Sequence, residues 1–522
     1  MNEQRTSARR LVHNTVFNVA ALVSNAIIGF FMIRFLLGRL GEDSYGVWVL
    51  IGGTLFRYAP LLSMGLNSSV NRYIPVYLAK DDPDGIQRVV STSLFFFAIL
   101  AIAVAIVSVV IYCNIESWFV IKPELVRPAG MLVLIVGCAL VLAMPLQPST
   151  AILSGLQRYD LINIVLLGEL FLRTALLVLL LSRGYGLLTV GIIYGLSGIG
   201  LRVVHSVLVR KLLPAVSLAP AKIDLGLLKE MLAYGTNTFL YAIGAMIIHQ
   251  ASSLVIAIFL GTAQISQYFV ATVAVFLLSQ LVNAFTAAVK PAVSDLDTRN
   301  EQEKVKAIAV LTQKYSLLLI IPGGFFLVAM GSEFLTICFS DRIEDPAAID
   351  AMAVILAVIT VAYCTRLAQH SNFIVLVGRG QHRIFGILSA VMALLCVTAS
   401  VVSVKVFDWG LLGIAWSNFV PIVLISGVIL PIYFNWKMRI STLECVNNVW
   451  RPALLGSLPA VCIIGVWKYL APPDSWPEVL AVVVAGMIVT FVGGWFLSLE
   501  DIERRRFARI AGRRQDGDKD RL

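Results

Sequence analysis

The chain has 522 residues, of which 58% are hydrophobic and only 14% are charged, and its mean hydropathy is +0.86. A soluble protein of this length needs many more polar residues to cover its surface, so the composition excludes a soluble protein and indicates an integral membrane protein. The net charge of +10 is not gathered on a soluble module with groove-reading elements, which argues against nucleic-acid binding.

Long apolar runs recur along the whole chain. A helix that spans a bilayer needs about 20 mostly apolar residues, and the runs are continuous rather than alternating, which excludes a membrane β-barrel. We therefore expect an all-α integral membrane fold with about fourteen transmembrane helices. The predicted spans are 14–37, 45–66, 92–113, 129–147, 161–181, 186–208, 238–260, 267–289, 315–337, 348–368, 384–404, 410–434, 452–470 and 478–498.

The first run follows a basic segment, as in a signal peptide. It is longer than a hydrophobic region of about 7–15 residues and has no convincing cleavage site, so we expect 14–37 to be a retained span. Most of the 41 Lys and Arg residues fall in cytoplasmic segments when the N-terminus is placed in the cytoplasm. The positive-inside rule then predicts that both termini are cytoplasmic.

The second half of the chain resembles the first. One constant shift along the sequence matches Asn14-Thr15 with Asn237-Thr238, Leu37-Gly38 with Leu260-Gly261, and Tyr45 with Tyr268. A shift that is longer by a single position matches Gly186-Leu187-Leu188 with Gly410-Leu411-Leu412. Because six spans separate the copies, both enter the membrane in the same direction. We expect two parallel six-helix lobes related by an axis along the membrane normal, with the substrate path between them.

A proline-containing segment with Asp224 as a candidate helix N-cap divides six spans from the rest. The predicted domains are an N-terminal six-helix lobe at 1–208, a cytoplasmic interlobe linker at 209–237, a C-terminal six-helix lobe at 238–434, helices 13 and 14 at 435–498, and a basic cytoplasmic tail at 499–522. For the tail, binding to anionic lipid and disorder both stay open.

Several short motifs resemble a known family. They are Asn14-Thr15 with Leu36–Gly46 (LLGRLGEDSYG), Ile152–Asn163 (ILSGLQRYDLIN), and the openings GLLTVG at Gly186 and GLLGIA at Gly410. These motifs are similar to those of Wzx-type polysaccharide or O-antigen flippases of the multidrug/oligosaccharidyl-lipid/polysaccharide (MOP) superfamily, over about residues 10–440. The resemblance implies that an undecaprenyl-diphosphate-linked oligosaccharide is moved from the cytoplasmic to the outer leaflet by alternating access, for lipopolysaccharide or exopolysaccharide assembly.

The resemblance further implies a location in the bacterial inner membrane, contact with membrane lipids, and other polysaccharide-assembly proteins as candidate partners. Two alternatives belong to the same superfamily. A peptidoglycan-precursor flippase carries an arginine-rich first span, whereas this first span has only Arg34. A multidrug antiporter usually has twelve spans.

A third alternative is a polysaccharide polymerase, ligase or membrane glycosyltransferase, which is expected to carry a long external loop with clustered Arg, His or acidic residues. The longest predicted external loop, 114–128, does not fit, so we predict a transporter rather than an enzyme. The seven cysteines lack a metal-ligand spacing and no Walker A sequence occurs, so we expect no cofactor, no metal and no direct use of ATP.

A charge at the bilayer centre costs roughly 2.5–3.5 kcal/mol on insertion scales, so it usually faces a cavity or a partner. Arg57 lies near the middle of the second span, and its repeat partner Gln280 is also polar. In a cavity, Arg57 would donate charge-assisted hydrogen bonds to a lipid-linked diphosphate. Neutralisation within its own lobe is the alternative.

The seventh and eighth spans carry two further polar groups, which are His249, Gln250, Ser252 and Ser253, and Ser279, Gln280, Asn283, Thr286 and Lys290. The second group follows helical spacing and ends with a cation at the cytoplasmic mouth. Lining of a substrate cavity and interhelical hydrogen bonding are both compatible with these residues. For His249, uptake of a proton during transport competes with simple packing.

Glu169 and Arg173 have the i, i+4 order of a helical ion pair, for which we expect a structural role, with gating as the alternative. Arg34, near the outer end of the first span, either extends to the membrane surface or guards the outer mouth. Asn25 is a weaker cavity candidate. Membrane glycosyltransferases often place catalytic acids in their first external loop, but we expect Glu42-Asp43 to be a solvated turn.

Overall fold

In the computed structural model of the chain, the described residues are 22, 24–217, 222–286, 289–343, 345–381, 383–499 and 503–504. They are largely helical, and no strand occurs among them. Twelve helices of this described part are long and apolar enough to cross a membrane, as judged by length and composition. The predicted all-α integral membrane fold is confirmed.

Each of these twelve spans overlaps one predicted span. They are Glu42–Ser63, Pro83–Trp118, Pro123–Gly155, Tyr159–Ser182, Leu187–Leu212, Thr262–Thr286, Gln302–Ala329, Ala347–Gly378, Arg383–Lys405, Gly410–Met438, Thr442–Leu470 and Trp476–Ser498. The remaining two predicted spans, 14–37 and 238–260, include residues or side chains outside the described part. The count of fourteen therefore stays a prediction.

Some of these spans consist of more than one helical segment, and further helices lie in the connections between spans. In chain order they are α1 (24–40), α2 (Glu42–Trp48), α3 (Leu66–Ala79), α4 (Pro83–Trp118), α5 (Pro123–Ala143), α6 (Pro148–Gly155), α7 (Tyr159–Ser182), α8 (Leu187–Leu212), α9 (Leu225–Phe259), α10 (Thr262–Thr286), α11 (Val289–Thr298), α12 (Gln302–Ala329), α13 (Gly331–Phe339), α14 (Pro346–Ala368), α15 (His370–Gly378), α16 (Arg383–Lys405), α17 (Gly410–Leu424), α18 (Leu430–Met438), α19 (Thr442–Cys445), α20 (Arg451–Leu470) and α21 (Trp476–Gly493). Segments of π-helix lie at Val49–Thr54, Ile425–Ile429, Val446–Trp450 and Gly494–Ser498, and 3-10 segments lie at Leu55–Ser63 and Met144–Leu146.

Side-chain caps fix where several helices begin. The Asp82 carboxylate accepts a hydrogen bond from the Gly85 amide (2.7 Å) at the start of α4. Asp224 caps α9 in the same way through the Leu227 amide (2.9 Å), which confirms the cap predicted for this residue. A carboxylate at this position satisfies an amide that has no partner inside the helix.

The ninth predicted span, 315–337, is shifted relative to the structure. Helix α12 begins earlier, at Gln302, and ends at Ala329, and α13 starts at Gly331 after a break at Met330. The apolar run continues across this break, so hydropathy alone does not detect it. The predicted span covers only the apolar part of α12. The polar first turns of this helix lie before that apolar part, so hydropathy does not detect them.

The described chain divides into two compact units, and each is described separately. The first holds the described residues of Met1–Val270, Asp341–Glu344 and Gly386–Ile414, and the second holds those of Ala271–Ser340, Asp345–Phe385 and Ala415–Leu522. The lobe and linker boundaries predicted from the repeat are not tested by these units and stay a prediction.

The first unit has an apolar core in which residues of the predicted linker take part. Leu227 and Met231 of α9 pack with Leu66, Val70 and residues of α4 and α6. The Ser69 hydroxyl also donates to the carbonyl of Met231. The start of α9 is therefore fixed to α3 by buried apolar area, the main source of packing free energy.

Each unit contains a pair of short helices that pack through a glycine, α3 with α6 and α11 with α15. A Cβ added to Gly155 would lie 3.2 Å from the carbonyl oxygen of Asn71, and one added to Gly378 would lie 3.1 Å from that of Lys290. Gly155 and Gly378 are also matched by the shift that pairs Tyr45 with Tyr268. The same packing at equivalent positions of the two copies supports the internal repeat.

Candidate functional site

The span that carries Arg57 is irregular. It is α-helical as far as Trp48, continues as a π-helical segment to Thr54, and then forms a 3-10 segment that contains Arg57. Insertions of π-helix occur frequently at functional sites because they change the direction of the side chains that follow. Arg57 is exposed and makes no hydrogen bond or ion pair with a described residue.

Arg57 belongs to a group of side chains around Tyr194 of α8. The ring of Trp48 lies 4.6 Å from that of Tyr194, and the Arg173 guanidinium carbon lies 4.6 Å from the Tyr194 ring. Arg57 is close enough to act electrostatically on the Tyr194 hydroxyl. Trp48, Arg57, Glu169, Arg173 and Tyr194 are called the Tyr194 cluster below.

The predicted ion pair is formed within this cluster. Arg173 Nη1 lies 3.3 Å from Glu169 Oε1, and the two side chains are only 21% and 10% exposed. Arg173 is therefore neutralised by a carboxylate and also contacts the negative face of the Tyr194 ring. Arg57 has no such carboxylate among the described residues, so it supplies the excess positive charge of the cluster.

Gly52 determines how Trp48 lies in the cluster. A Cβ added to Gly52 would lie 2.6 Å from Cη2 of the Trp48 indole, so only glycine leaves room for this ring. Two residues later, the buried Thr54 hydroxyl has no hydrogen-bond partner in the described part of the chain. A polar atom without a partner in a buried position is unusual, because its desolvation is not compensated.

The remaining candidates of the first unit lie on α1 and α9. Helix α9 packs against the π-helical and 3-10 segments, and its Gln250 is half-buried. Asn25 is exposed on α1. The side chain of His249 lies outside the described residues, so its part in proton transfer stays a prediction.

The candidates of the second unit do not all share one helix. Gln280 and Asn283 are exposed on α10, whereas Lys290, expected at the end of the same stripe, is exposed on α11. The hydroxyls of Ser279 and Thr286 donate to carbonyls one turn earlier in α10, at 2.9 Å each. The stripe thus consists of internally bonded hydroxyls and exposed amides.

Arg34 takes part in a partly exposed ion pair. Its Nη2 lies 3.0 Å from Oδ2 of Asp341, which also contacts Nε of Arg342 at 3.1 Å. Asp341 is 307 residues away in sequence, so no local pattern indicates this partner.

The prediction of a solvated turn at Glu42-Asp43 is wrong. Glu42 is only 4% exposed, and its carboxylate accepts a hydrogen bond from the Gln267 amide at 3.0 Å. Asp43 Oδ2 lies 2.6 Å from Lys122 Nζ, and Asp43 Oδ1 accepts from the Thr262 hydroxyl at 2.8 Å. Partners that lie far away in sequence cover these two acids.

The motif Ile152–Asn163 builds a turn. Its Arg158 forms two parallel hydrogen bonds with Asp160, at 3.0 and 2.9 Å, and Gln157 adopts a left-handed backbone conformation with φ of 57°. The hydrogen bonds to Asp160 raise the pKa of the Arg158 guanidinium. The motif therefore fixes the connection between α6 and α7.

No sequence pattern points to Trp48 and Tyr194, because aromatic residues in apolar spans are common and their partners lie on other helices. No sequence pattern marks the partners of the Glu42-Asp43 pair either, which are Lys122, Thr262 and Gln267. Among the described residues, no group of three or more His, Cys, Asp or Glu is placed to hold a metal ion.

The sequence of the chain matches a known protein family. Residues 82–348 match the family described as "Polysaccharide biosynthesis protein", which is more than half of the chain. The chain belongs to this family. The predicted membership of a polysaccharide biosynthesis family is thereby confirmed. Comparison with curated protein sequences gave no significant match.

Solved structures show the same fold at low sequence identity. The lipid II flippase MurJ in an inward closed conformation has a TM-score of 0.68 and 15% identity, covering 92% of this chain and 97% of that chain. An inward-facing multidrug resistance MATE family transporter of the MOP superfamily has a TM-score of 0.65 and 14% identity, covering 81% and 98%. A MOP superfamily transporter from Pyrococcus furiosus has a TM-score of 0.56 and 14% identity, covering 82% and 95%. The chain therefore has the fold of these MOP superfamily proteins.

Proposed function

We propose that the chain flips an undecaprenyl-diphosphate-linked oligosaccharide from the cytoplasmic to the outer leaflet of the bacterial inner membrane, by alternating access, for surface or exopolysaccharide assembly. The observation that carries the proposal is Arg57, an exposed arginine within a membrane span that has no carboxylate partner among the described residues. The description of the family as polysaccharide biosynthesis proteins supports a glycan cargo.

The chemistry of the Tyr194 cluster fits an anionic headgroup. The Arg57 guanidinium has free donors that match phosphate oxygens in pairs, and such charge-assisted hydrogen bonds are roughly twice as strong as neutral ones. Glu169 neutralises Arg173, so the positive charge available to a phosphate in this cluster is that of Arg57. Tyr194 and Trp48 provide ring surface beside the charge. The lipid tail stays in the bilayer while the headgroup is bound.

The second unit offers further candidates for the same cargo. Gln280 and Asn283 present amide groups suited to sugar hydroxyls, and Lys290 presents a cation suited to phosphate. None of the three side chains has a polar partner in the described part of the chain. Other polysaccharide-assembly proteins are the partners expected to supply the cargo and to receive it.

A peptidoglycan-precursor flippase is the second candidate. The lipid II flippase MurJ aligns over 92% of this chain, whereas the MATE family transporter above aligns over 81%. The wider alignment favours a flippase over a multidrug antiporter.

The proposal is tested by deleting the gene and measuring undecaprenyl-linked oligosaccharide on each leaflet together with surface polysaccharide. We expect the lipid-linked oligosaccharide to accumulate on the cytoplasmic leaflet and surface polysaccharide to be lost. Accumulation of the peptidoglycan precursor instead would favour the second candidate. Normal export in a strain without another flippase contradicts the proposal.

Rescue of the deletion strain tests Arg57. We expect Arg57→Ala to lower export by about tenfold or more, since a charge-assisted hydrogen bond contributes about 1.5–3 kcal/mol. Arg57→Lys should retain an intermediate rate because it keeps the charge but not the paired donors. Arg127→Ala is the matched control, because Arg127 is also exposed without a described partner but lies near the end of its span. Full rescue by Arg57→Ala would exclude this residue from the site.

A further inference from the structure

The spans Gly410–Met438 and Thr442–Leu470 meet in a short corner of the second unit. Helix α18 ends there, and Arg439 after it has a left-handed backbone conformation with φ of 52°. Ser441 and Glu444 then form a capping box at the start of α19, so the chain reverses within a few residues. The two helices and the turn between them are called the α18–α19 corner below.

The carboxylates at the corner are already bound to cations of other helices. Lys306 of α12 lies 2.8 Å from Glu444, the only acidic residue of the corner, and its ammonium group also donates to the carbonyl of Arg439 at 3.4 Å. Arg379 of α15, which contacts the end of α18, lies 3.1 Å from Asp297 of α11. These pairs fasten the corner to the unit and use up its acidic groups.

Two cations of the corner have no such partner. The side chains of Lys437 and Arg439 are exposed, and neither makes an ion pair or a hydrogen bond with a described residue. Glu444 does not neutralise them, because it is bound to Lys306. The corner therefore presents positive charge to its surroundings.

Large apolar side chains lie exposed beside these cations. Ile432 and Trp436, one turn apart on α18, are 65% and 72% exposed, and Leu443 of α19 is 71% exposed. Ile432, Trp436 and Arg439 follow helical spacing, so one face of α18 changes from apolar to aromatic to cationic toward the end of the span. This order is typical of a helix that passes from the hydrocarbon layer into the headgroup layer.

We propose that the α18–α19 corner binds the headgroup of an anionic phospholipid. Lys437 and Arg439 bind the phosphate, Trp436 and Leu443 lie at the border of the hydrocarbon layer, and Ile432 contacts the acyl chains. Charge complementarity selects the lipid. An anionic headgroup such as phosphatidylglycerol neutralises the two cations, whereas the zwitterionic phosphatidylcholine brings a cation of its own.

A lipid bound at the corner also stabilises the second unit. A ligand that binds the folded protein and not the unfolded chain raises stability by mass action. The corner is joined to α12 by Lys306 and to α15 by Arg379, so it is not free to unfold independently of the unit. We therefore expect unfolding at a higher temperature in nanodiscs of phosphatidylglycerol than in nanodiscs of phosphatidylcholine.

The variant Lys437→Gln/Arg439→Gly removes both cations and keeps the turn, because glycine adopts the left-handed conformation of position 439 without strain. Native mass spectrometry of the purified protein measures the affinity for each lipid. We expect the affinity for phosphatidylglycerol to fall by at least about tenfold and the affinity for phosphatidylcholine to change little. Unchanged affinity for phosphatidylglycerol overturns the proposal, and so does an equal loss for both lipids.

The matched control is Arg210→Gln/Lys211→Gln. These two neighbouring cations at the end of α8 are also exposed without a described partner, but no tryptophan lies beside them in the sequence. We expect this variant to keep its affinity for phosphatidylglycerol. An equal loss in both variants would show that binding follows net charge alone, and would overturn a site at the corner.

Thermal unfolding in nanodiscs is a second measurement. We expect phosphatidylglycerol to raise the midpoint of the wild type and of the Arg210→Gln/Lys211→Gln control by several degrees, and to leave that of Lys437→Gln/Arg439→Gly nearly unchanged. A rise of the same size in all three proteins contradicts the proposal. Neither measurement uses the proposed cargo, so a deletion strain that exports polysaccharide normally would overturn the proposed function and leave this site standing.

Discussion

The pair of Glu169 and Arg173 shows how one residue stabilises another inside the membrane. We expect Glu169→Gln to lower the free energy of unfolding by about 1–3 kcal/mol, because Arg173, only 21% exposed, then keeps its charge without a carboxylate. Glu169→Gln combined with Arg173→Gln should regain part of this loss. Thermal unfolding in nanodiscs measures both changes.

An exposed pair with the same spacing serves as the control for this prediction. Asp295 and Arg299 are 57% and 63% exposed, so Asp295→Asn should change the unfolding free energy by no more than about 0.5 kcal/mol. If the double variant unfolds like the wild type but export falls, the pair has a gating role. Equal stability of Glu169→Gln and wild type would contradict a structural role.

The π-helical segment of the second span packs against the Trp48 indole through Gly52 and so sets the position of this ring. Gly52→Ala would place a Cβ 2.6 Å from the indole, so the ring must leave Tyr194 or the segment must change its helical form. We expect export to fall several-fold while the protein still folds, because the disturbance is local. The export rate of the rescued deletion strain measures the effect.

Gly53→Ala is the matched control for this element, since its Cβ would lie 3.6 Å from the nearest atom, an ordinary contact. Equal loss of export in Gly52→Ala and Gly53→Ala would show that the loss does not come from displacing the Trp48 ring. Export at the wild-type rate in Gly52→Ala would mean that the position of Trp48 does not matter for transport.

Apolar runs predict the elements well because crossing a bilayer requires a fixed length of apolar helix. The pattern at Asp224 also predicts a cap correctly, since that interaction is local. The break between α12 and α13 and the π-helical form of Val49–Thr54 were not predictable. Both depend on packing between helices, which leaves no mark on the hydropathy of a single run.

At the scale of the whole molecule, the sequence predicts which polar residues are of interest but not their partners. Arg57 and the Glu169–Arg173 pair stand out in apolar spans, and the structure joins them around Tyr194. The surroundings of Glu42 and Asp43 were predicted wrongly. Their partners lie in the other copy of the repeat or on another loop, and a short acidic turn read alone is indistinguishable from a solvated one.

The end of the second unit depends on a buried ion pair that connects it to α12. The ammonium group of Lys314 lies 2.8 Å from both carboxylate oxygens of Glu503, and the lysine side chain is only 4% exposed. Arg504, the next residue, donates to the carbonyls of Trp495 and Phe496 at the end of the last span. Glu503 and Arg504 therefore belong to the folded unit.

Two truncations separate the role of this pair from that of the remaining tail. A chain that ends at Leu499 leaves the Lys314 cation buried without a carboxylate, so we expect its free energy of unfolding to fall by about 3–5 kcal/mol. A chain that ends at Arg504 keeps the pair and should unfold like the full chain. Adding Lys314→Met to the shorter chain should restore much of the stability, because it removes the unpaired charge. Equal thermal unfolding of the two truncated chains would show that Glu503 does not stabilise the unit.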